Sequence, residues 1–180
     1  MMKVTVDGLK NYCKEILKKC AVPEEEAEVI ADSIVDANVI GVDSHGVTRL
    51  SIYLERLEKG SLATETKMEL LKDRGAIALF DANNGWGQYA GKIAMESAVK
   101  KAKQFGIGAV GVNRSNHFGT ASYFTKLAAK EDCIGLAMCN TSPIMVPWGS
   151  MEPTLGTNPL SIAVPTNRYA AVLEMATSTV

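Results

Sequence analysis

Apolar side chains recur along the first third of the chain at steps of three and four residues, the spacing of a helix with one buried face. Leu9, Tyr12, Cys13, Ile16, Leu17 and Cys20 form one such stripe, and Asp7 is placed to cap it from the N-terminal side. Pro23 opens a second helix: a first helical residue has no use for an amide hydrogen, and Glu24, Glu25 and Glu26 complement the positive end of the helix dipole. That helix turns Ala27, Ile30, Ile34 and Ala37 inward and stops near Gly41. A third is predicted over about 44–59, with Leu50, Tyr53, Leu54 and Leu57 on one side and Gly60 as its stop.

Beyond a polar connector at 61–68 the pattern changes to short apolar runs separated by helical stretches. Residues 76–80 (Ala-Ile-Ala-Leu-Phe) read as a short buried strand, followed by the turn-rich Asp81-Ala82-Asn83-Asn84-Gly85. A long helix is predicted over 88–104, and its apolar positions Ala90, Ile93, Ala94, Ala98 and Ala102 are mostly small, which permits close packing on a sheet. Strands are predicted at 107–112, 134–139, 160–164 and 171–175, with a helix at 120–131. The expectation is an α/β protein in two parts, a helical domain over 1–68 and an α/β domain over 69–180.

The chain has 180 residues, 47% of them hydrophobic and 22% charged, the balance of an ordinary globular protein rather than a disordered one. Nineteen basic residues against twenty acidic ones give a net charge of -1, without the cationic excess that nucleic-acid backbones demand. Cys13, Cys20, Cys133 and Cys139 contain no C-x-x-C pair, and two histidines are too few to complete a zinc shell, so no metal site is expected. The cysteines read as reduced, mostly buried thiols of a cytoplasmic protein. No apolar run approaches the roughly eighteen residues of a membrane span, and the first residues lack the core of a signal peptide.

Gly106-Ile107-Gly108-Ala109-Val110-Gly111 matches the dinucleotide fingerprint G-x-G-x-x-G letter for letter, but it follows a helix and forms the next strand, the reverse of the required context. Gly106 reads instead as a helix stop, and Gly108 and Gly111 as close-packing positions. More chemistry lies in Ser44-His45-Gly46-Val47-Thr48-Arg49, where a continuous helix would set His45, Arg49 and Tyr53 near one face: an imidazole, a carboxylate-gripping guanidinium and a phenol. An exposed polar stripe on a capped helix is the competing reading. His117, in Asn116-His117-Phe118-Gly119, lies between a predicted strand and helix, where α/β proteins bind ligands; a structural histidine beside a helix cap is the alternative there. The proline-pinned stretch Asn140-Thr141-Ser142-Pro143 through Pro147-Trp148-Gly149 to Gly156-Thr157-Asn158-Pro159 is either a binding loop or a rigid surface excursion capped by Trp148.

Taken in order, these five segments resemble the malate/L-lactate dehydrogenase family of the second type, which includes sulfolactate, ureidoglycolate and diketogulonate enzymes. The resemblance spans nearly the whole chain. It implies a mixed-sheet, non-Rossmann cofactor-binding fold of the sulfolactate dehydrogenase type, NAD or NADP as cofactor, a small 2-hydroxy or 2-oxo acid as substrate, and a homodimer. By position, His45 and His117 match catalytic-site histidines, and Ser44, Arg49 and Tyr53 match a substrate-facing helix. Asn140, Ser142, Pro143, Asn158, Met175, Ala176 and Thr177 match cofactor-binding stretches, with Glu174 where the family commonly has Asp. A protonated imidazole would then supply the proton of the substrate oxygen while Arg49 holds the carboxylate.

Family members continue well past the strand that 173–177 resembles, so the 180 residues alone are expected to turn over weakly or not at all. A non-catalytic remnant that binds a nucleotide or a partner subunit is the alternative. A Ser/His hydrolase built on Ser44 or Ser142 has no oriented triad or nucleophile elbow behind it.

Overall fold

A computed structural model describes residues 3–178. Two long helices, α1 (Val6–Lys19) and α2 (Glu24–Val39), pack together and bury Cys13 and Leu17 against Ala27, Ile30, Ile34 and Val35. Two 3-10 turns, Asp43–His45 and Val47–Arg49, lead into α3 (Leu50–Glu58), whose Leu50 and Tyr53 close the same core with Leu62 and Trp86. Ala27, Ile30, Ile34 and Ala37 are all fully buried, the face that their spacing predicts.

The rest of the chain forms two three-stranded sheets. In the first, β1 (Glu69–Arg74) pairs antiparallel with β2 (Ile77–Asp81), which pairs parallel with β3 (Ala109–Asn113). The crossover is α4 (Gly87–Phe105). In the second, β4 (Gly135–Met138), β5 (Pro159–Val164) and β6 (Ala171–Ala176) run antiparallel in that order. α5 (Ala121–Lys130) links the two sheets in sequence and packs on β4 and β5. The result is a mixed α/β fold.

The helical and sheet parts are stitched by polar side chains. Buried Glu26 on α2 accepts hydrogen bonds from the Thr66 amide at 2.8 Å and its hydroxyl at 2.5 Å, and the same hydroxyl accepts from the Trp86 amide at 2.9 Å. Tyr123 donates to Asp32 at 2.8 Å, and Lys126 pairs with Asp36 at 2.5 Å. A buried carboxylate is costly unless its oxygens find donors, so Glu26 fixes the path of the connector ahead of α4.

The first two glycines of the false fingerprint have different roles. Gly106 ends α4 in the left-handed region at φ 84°, and Gly108 lies against the α4 backbone, where a Cβ would overlap the Ala98 carbonyl oxygen. The small alanines of α4 make that approach possible.

Several expectations need correction. Thr5, not Asp7, caps α1, its hydroxyl accepting from the Gly8 amide at 3.1 Å. The third helix begins at Leu50 rather than Ser44, because Gly46 adopts an extended conformation (ψ -155°) that interrupts the turn. β1 is a strand that the hydrophobic pattern does not predict: all six residues are exposed, and only pairing with β2 makes it a strand. β2 is half-buried rather than buried, with Ile77 largely exposed. Of the four cysteines only Cys13 is buried, while Cys20 is exposed. Trp148 caps nothing and stands fully in solvent. No helix among the described residues is long and apolar enough to cross a membrane.

The two glycines are expected to respond differently to alanine. Gly108→Ala should destabilise by about 1–3 kcal/mol through overpacking, and Gly106→Ala by roughly 1 kcal/mol through the left-handed backbone alone. Thermal unfolding of both variants checks this ordering.

Candidate active site

His117 is set by the loop between β3 and α5. Asn116 donates from Nδ2 to the backbone oxygens of Asn84 and Gly85 at 2.8 and 3.1 Å, and its amide donates to the Gly85 carbonyl at 3.2 Å. Arg114 holds the loop's other shoulder, with Nε 2.8 Å from buried Asp81. Gly87, at the start of α4, has no side chain because the carbonyl oxygens of Asn116 and His117 occupy the space a Cβ would take. The loop therefore rests directly on the α4 N-terminus, and His117 faces α3. There Tyr53 Oη lies 2.7 Å from His117 Nδ1, and Gln88 Nε2 donates to Tyr53 Oη at 2.9 Å.

His45 arrives from the opposite side on the first 3-10 turn. Asn38 of α2 anchors this turn: its Oδ1 accepts from the Val47 amide at 2.8 Å, and its Nδ2 donates to Asp43. Gly46 passes so close to Asn38 that a Cβ would overlap the amide group. Ser44 Oγ sits 3.0 Å from His45 Nδ1, and the Ser44 carbonyl accepts from Arg49 Nε at 2.5 Å. The two imidazoles stack with ring centroids 5.5 Å apart. Thus Ser44, His45, Arg49, Tyr53 and His117 converge, although not as one helical face: the two 3-10 turns, α3 and the β3–α5 loop bring them together.

Burial lowers the pKa of both histidines. His117 falls to about 4, with His45, Arg49 and Arg56 adding unfavourable positive charge. His45 is lowered by burial and Arg49, opposed by the Glu174 carboxylate. Tyr53 is pushed up to about 12, mainly by burial. Both rings are accordingly neutral at pH 7.

The remaining expected site residues gather separately, at one end of the second sheet, where β4 ends, β5 begins and β6 ends. Asn158 Oδ1 accepts from the Thr141 amide at 3.1 Å, Thr177 Oγ1 donates to the Asn158 carbonyl at 2.8 Å, and the Thr141 and Thr157 hydroxyls lie 3.2 Å apart. Asn140, Ser142, Pro143, Met175 and Thr177 stand exposed around this knot, with Ala176 half-buried on β6. Glu174, also on β6, accepts from the Ala121 amide at the start of α5 at 2.6 Å, which ties this sheet to the histidine side. Among the described residues, no three His, Cys, Asp or Glu side chains form a group able to hold a metal ion.

Asn38, Gly87 and Gln88 position the site without any signal of their own in the sequence, and Asn116 stands there only as a member of the His117 segment. Their contacts reach across the fold, and the only local signal was the cluster of Asn and Gly around 83–87 and 116–119.

The sequence and the fold have known counterparts. The malate/L-lactate dehydrogenase family profile matches residues 4–180, and the chain belongs to that family. The L-sulfolactate dehydrogenase of Methanocaldococcus jannaschii is 43% identical over 171 residues, covering 95% of this chain and 50% of the relative. The NAD(+)-dependent ureidoglycolate dehydrogenase of Escherichia coli K12 is 37% identical over 164 residues, 91% of this chain and 47% of the relative. The solved malate dehydrogenase of Pyrococcus horikoshii superposes with a TM-score of 0.97 at 41% identity, across 99% of this chain and 51% of that one. The chain thus spans about half the length of the relatives it matches.

Titration of the two histidines by NMR should find His117 with a midpoint near 4 and His45 below the usual imidazole value. An ordinary midpoint of about 6.5 for His117 would show that its ring is solvated rather than enclosed.

Proposed function

We propose that this chain is the part of an NAD- or NADP-dependent 2-hydroxy acid dehydrogenase that holds the substrate and moves its proton. The reading assigns residues 1–68 to a substrate-side helical domain and 69–180 to a cofactor-binding domain, in a cytoplasmic homodimer. The observation that carries it is the stacked pair His45 and His117, with Tyr53 on one ring and Arg49 beside the other.

Among the described residues Arg49 spends only Nε, on the Ser44 carbonyl, so its terminal nitrogens remain to grip a substrate carboxylate with two parallel bonds. With the carboxylate fixed there, the adjacent carbonyl oxygen of a 2-oxo acid falls towards the imidazoles. Each ring has one nitrogen engaged, Nδ1 of His45 by Ser44 and Nδ1 of His117 by Tyr53, leaving Nε2 to meet that oxygen. Both rings start neutral, so the ring that gives its Nε2 proton to the substrate oxygen must receive another at Nδ1 as it does so, which for His117 puts the Tyr53 hydroxyl in line to supply it.

The polar knot at the end of the second sheet fits a nucleotide. Exposed amide and hydroxyl groups of Asn140, Ser142 and Thr177 surround a backbone made tight by Gly156, where a Cβ would overlap Thr141. Asn140, Ser142, Pro143, Asn158, Met175, Ala176 and Thr177 would hold the cofactor, whose nicotinamide supplies the hydride. Malate, sulfolactate and related acids all offer Arg49 the same carboxylate, so the substrate class is a small 2-hydroxy acid and its 2-oxo counterpart.

Absorbance of NADH and NADPH against a panel of 2-oxo acids tests the reading. Substrate-dependent oxidation should disappear in His117→Ala and His45→Ala, and Arg49→Lys should raise KM roughly ten- to a hundredfold by losing a bidentate charged contact. Nucleotide binding without oxidation, in folded protein, would favour a non-catalytic remnant instead.

A further inference from the structure

Gln88 is the second residue of α4, and its side chain is entirely removed from solvent (0% exposed). Its Nε2 donates to Tyr53 Oη, while its Oε1 has no partner among the described residues. A buried amide with an idle carbonyl is costly, and an apolar side chain of similar length would fill the space without that cost. The amide's effect falls on Tyr53.

A phenol has a single proton to give. With the Gln88 N–H already filling one acceptor site on Tyr53 Oη, the neighbour left to receive that proton is His117 Nδ1, 2.7 Å away. Nδ1 is then an acceptor, and the ring's own hydrogen resides on Nε2. Turning the amide over would let Oε1 accept from the phenol and force Nδ1 to carry the hydrogen, but it would strand the buried NH2 group where one unpaired carbonyl oxygen now sits. Unsatisfied donors are rarer in proteins than under-used carbonyls, which favours the observed direction.

We propose that Gln88 is a positioning residue that aims the Tyr53 hydroxyl at His117 Nδ1 and so makes Gln88–Tyr53–His117 a one-way proton path ending at Nε2. Its catalytic use rests on the dehydrogenase reading above; its direction does not. In the reductive reaction the His117 Nε2–H bond breaks as the substrate O–H bond forms, and the Tyr53 O–H bond breaks as a bond to Nδ1 forms. The ring stays neutral throughout. The net transfer is one proton from a phenol to an alkoxide, and the phenolate is left facing the Gln88 N–H with Arg49 and Arg56 nearby until solvent returns the proton. The charged and titratable groups around His117 are His45, Arg49, Arg56 and Tyr53, and none is an acid that favours an imidazolium. That environment makes a neutral relay the accessible route.

The experiment is 15N NMR of histidine-labelled intact chain, wild type beside Gln88→Met and Tyr53→Phe, with thermal unfolding as the check on folding. In the wild type His117 should show an unprotonated Nδ1 and a protonated Nε2 at pH 7. Gln88→Met should admit the other tautomer and raise the His117 midpoint by about one pH unit, the size of one lost hydrogen bond. A wild-type ring with its hydrogen on Nδ1 overturns the proposal without any variant, as does a folded Gln88→Met whose tautomer and midpoint match the wild type. The predicted tautomers with neither binding nor oxidation of NADH or NADPH would uphold the proton path while removing the dehydrogenase reading, so the two fail separately.

Discussion

The hydrogen bond between Tyr53 and His117 joins positions 64 residues apart and lies where the helical core, the start of α4 and the loop leaving the first sheet meet. Tyr53 belongs to the helical core, edge-on to Trp86 with ring centroids 5.7 Å apart. His117 belongs to the loop that leaves the first sheet, and the α4 start carries both Trp86 and Gln88 against them. Sterically this meeting depends on a missing side chain at Gly87, and electrostatically on excluding water from a phenol and two imidazoles. The exclusion that shifts these groups also strengthens each polar contact among them. The same packing that stabilises the helices therefore sets the protonation state of the site.

Two anchors of different kinds hold the histidines. His117 is fixed by backbone-directed bonds from Asn116 on a loop lying against a helix end, whereas His45 hangs on a turn whose geometry is dictated by Asn38. Loops placed in this way gain the precision of the elements beneath them. Glu174 adds a longer link: it satisfies a free amide at the start of α5 while its charge partly offsets the positive surroundings of His45. An acidic group at a helix N-terminus is favourable in its own right, so one carboxylate serves both purposes.

Much of this was legible in the sequence where a signal was local. The helical stripes located the core, the wrong context of their motif marked Gly106 as a helix stop and Gly108 as a close-packing position, and scarce histidines in polar settings pointed to the two rings that stack. What was illegible depended on distant partners. β1 has no burial of its own and exists because β2 pairs with it. The helix boundary at Leu50 depends on Asn38, which forces Gly46 out of helical geometry. Gln88 carries no signal of its own, because nothing within several positions of it reveals a buried phenol.

The two sheets differ at their margins. β1 carries Lys72, Asp73 and Arg74 along its open side, charges that make a strand edge a poor template for another backbone. β6 has Val172, Leu173 and Met175 exposed and Glu174 already engaged with α5, leaving its border without a guarding charge. β4, the other margin of that sheet, has no charged residue and exposes Leu136 and Met138. Strand-to-strand association of this chain would therefore favour the second sheet over β1, and one lysine introduced on each of its outer strands would be the economical way to keep concentrated samples in solution.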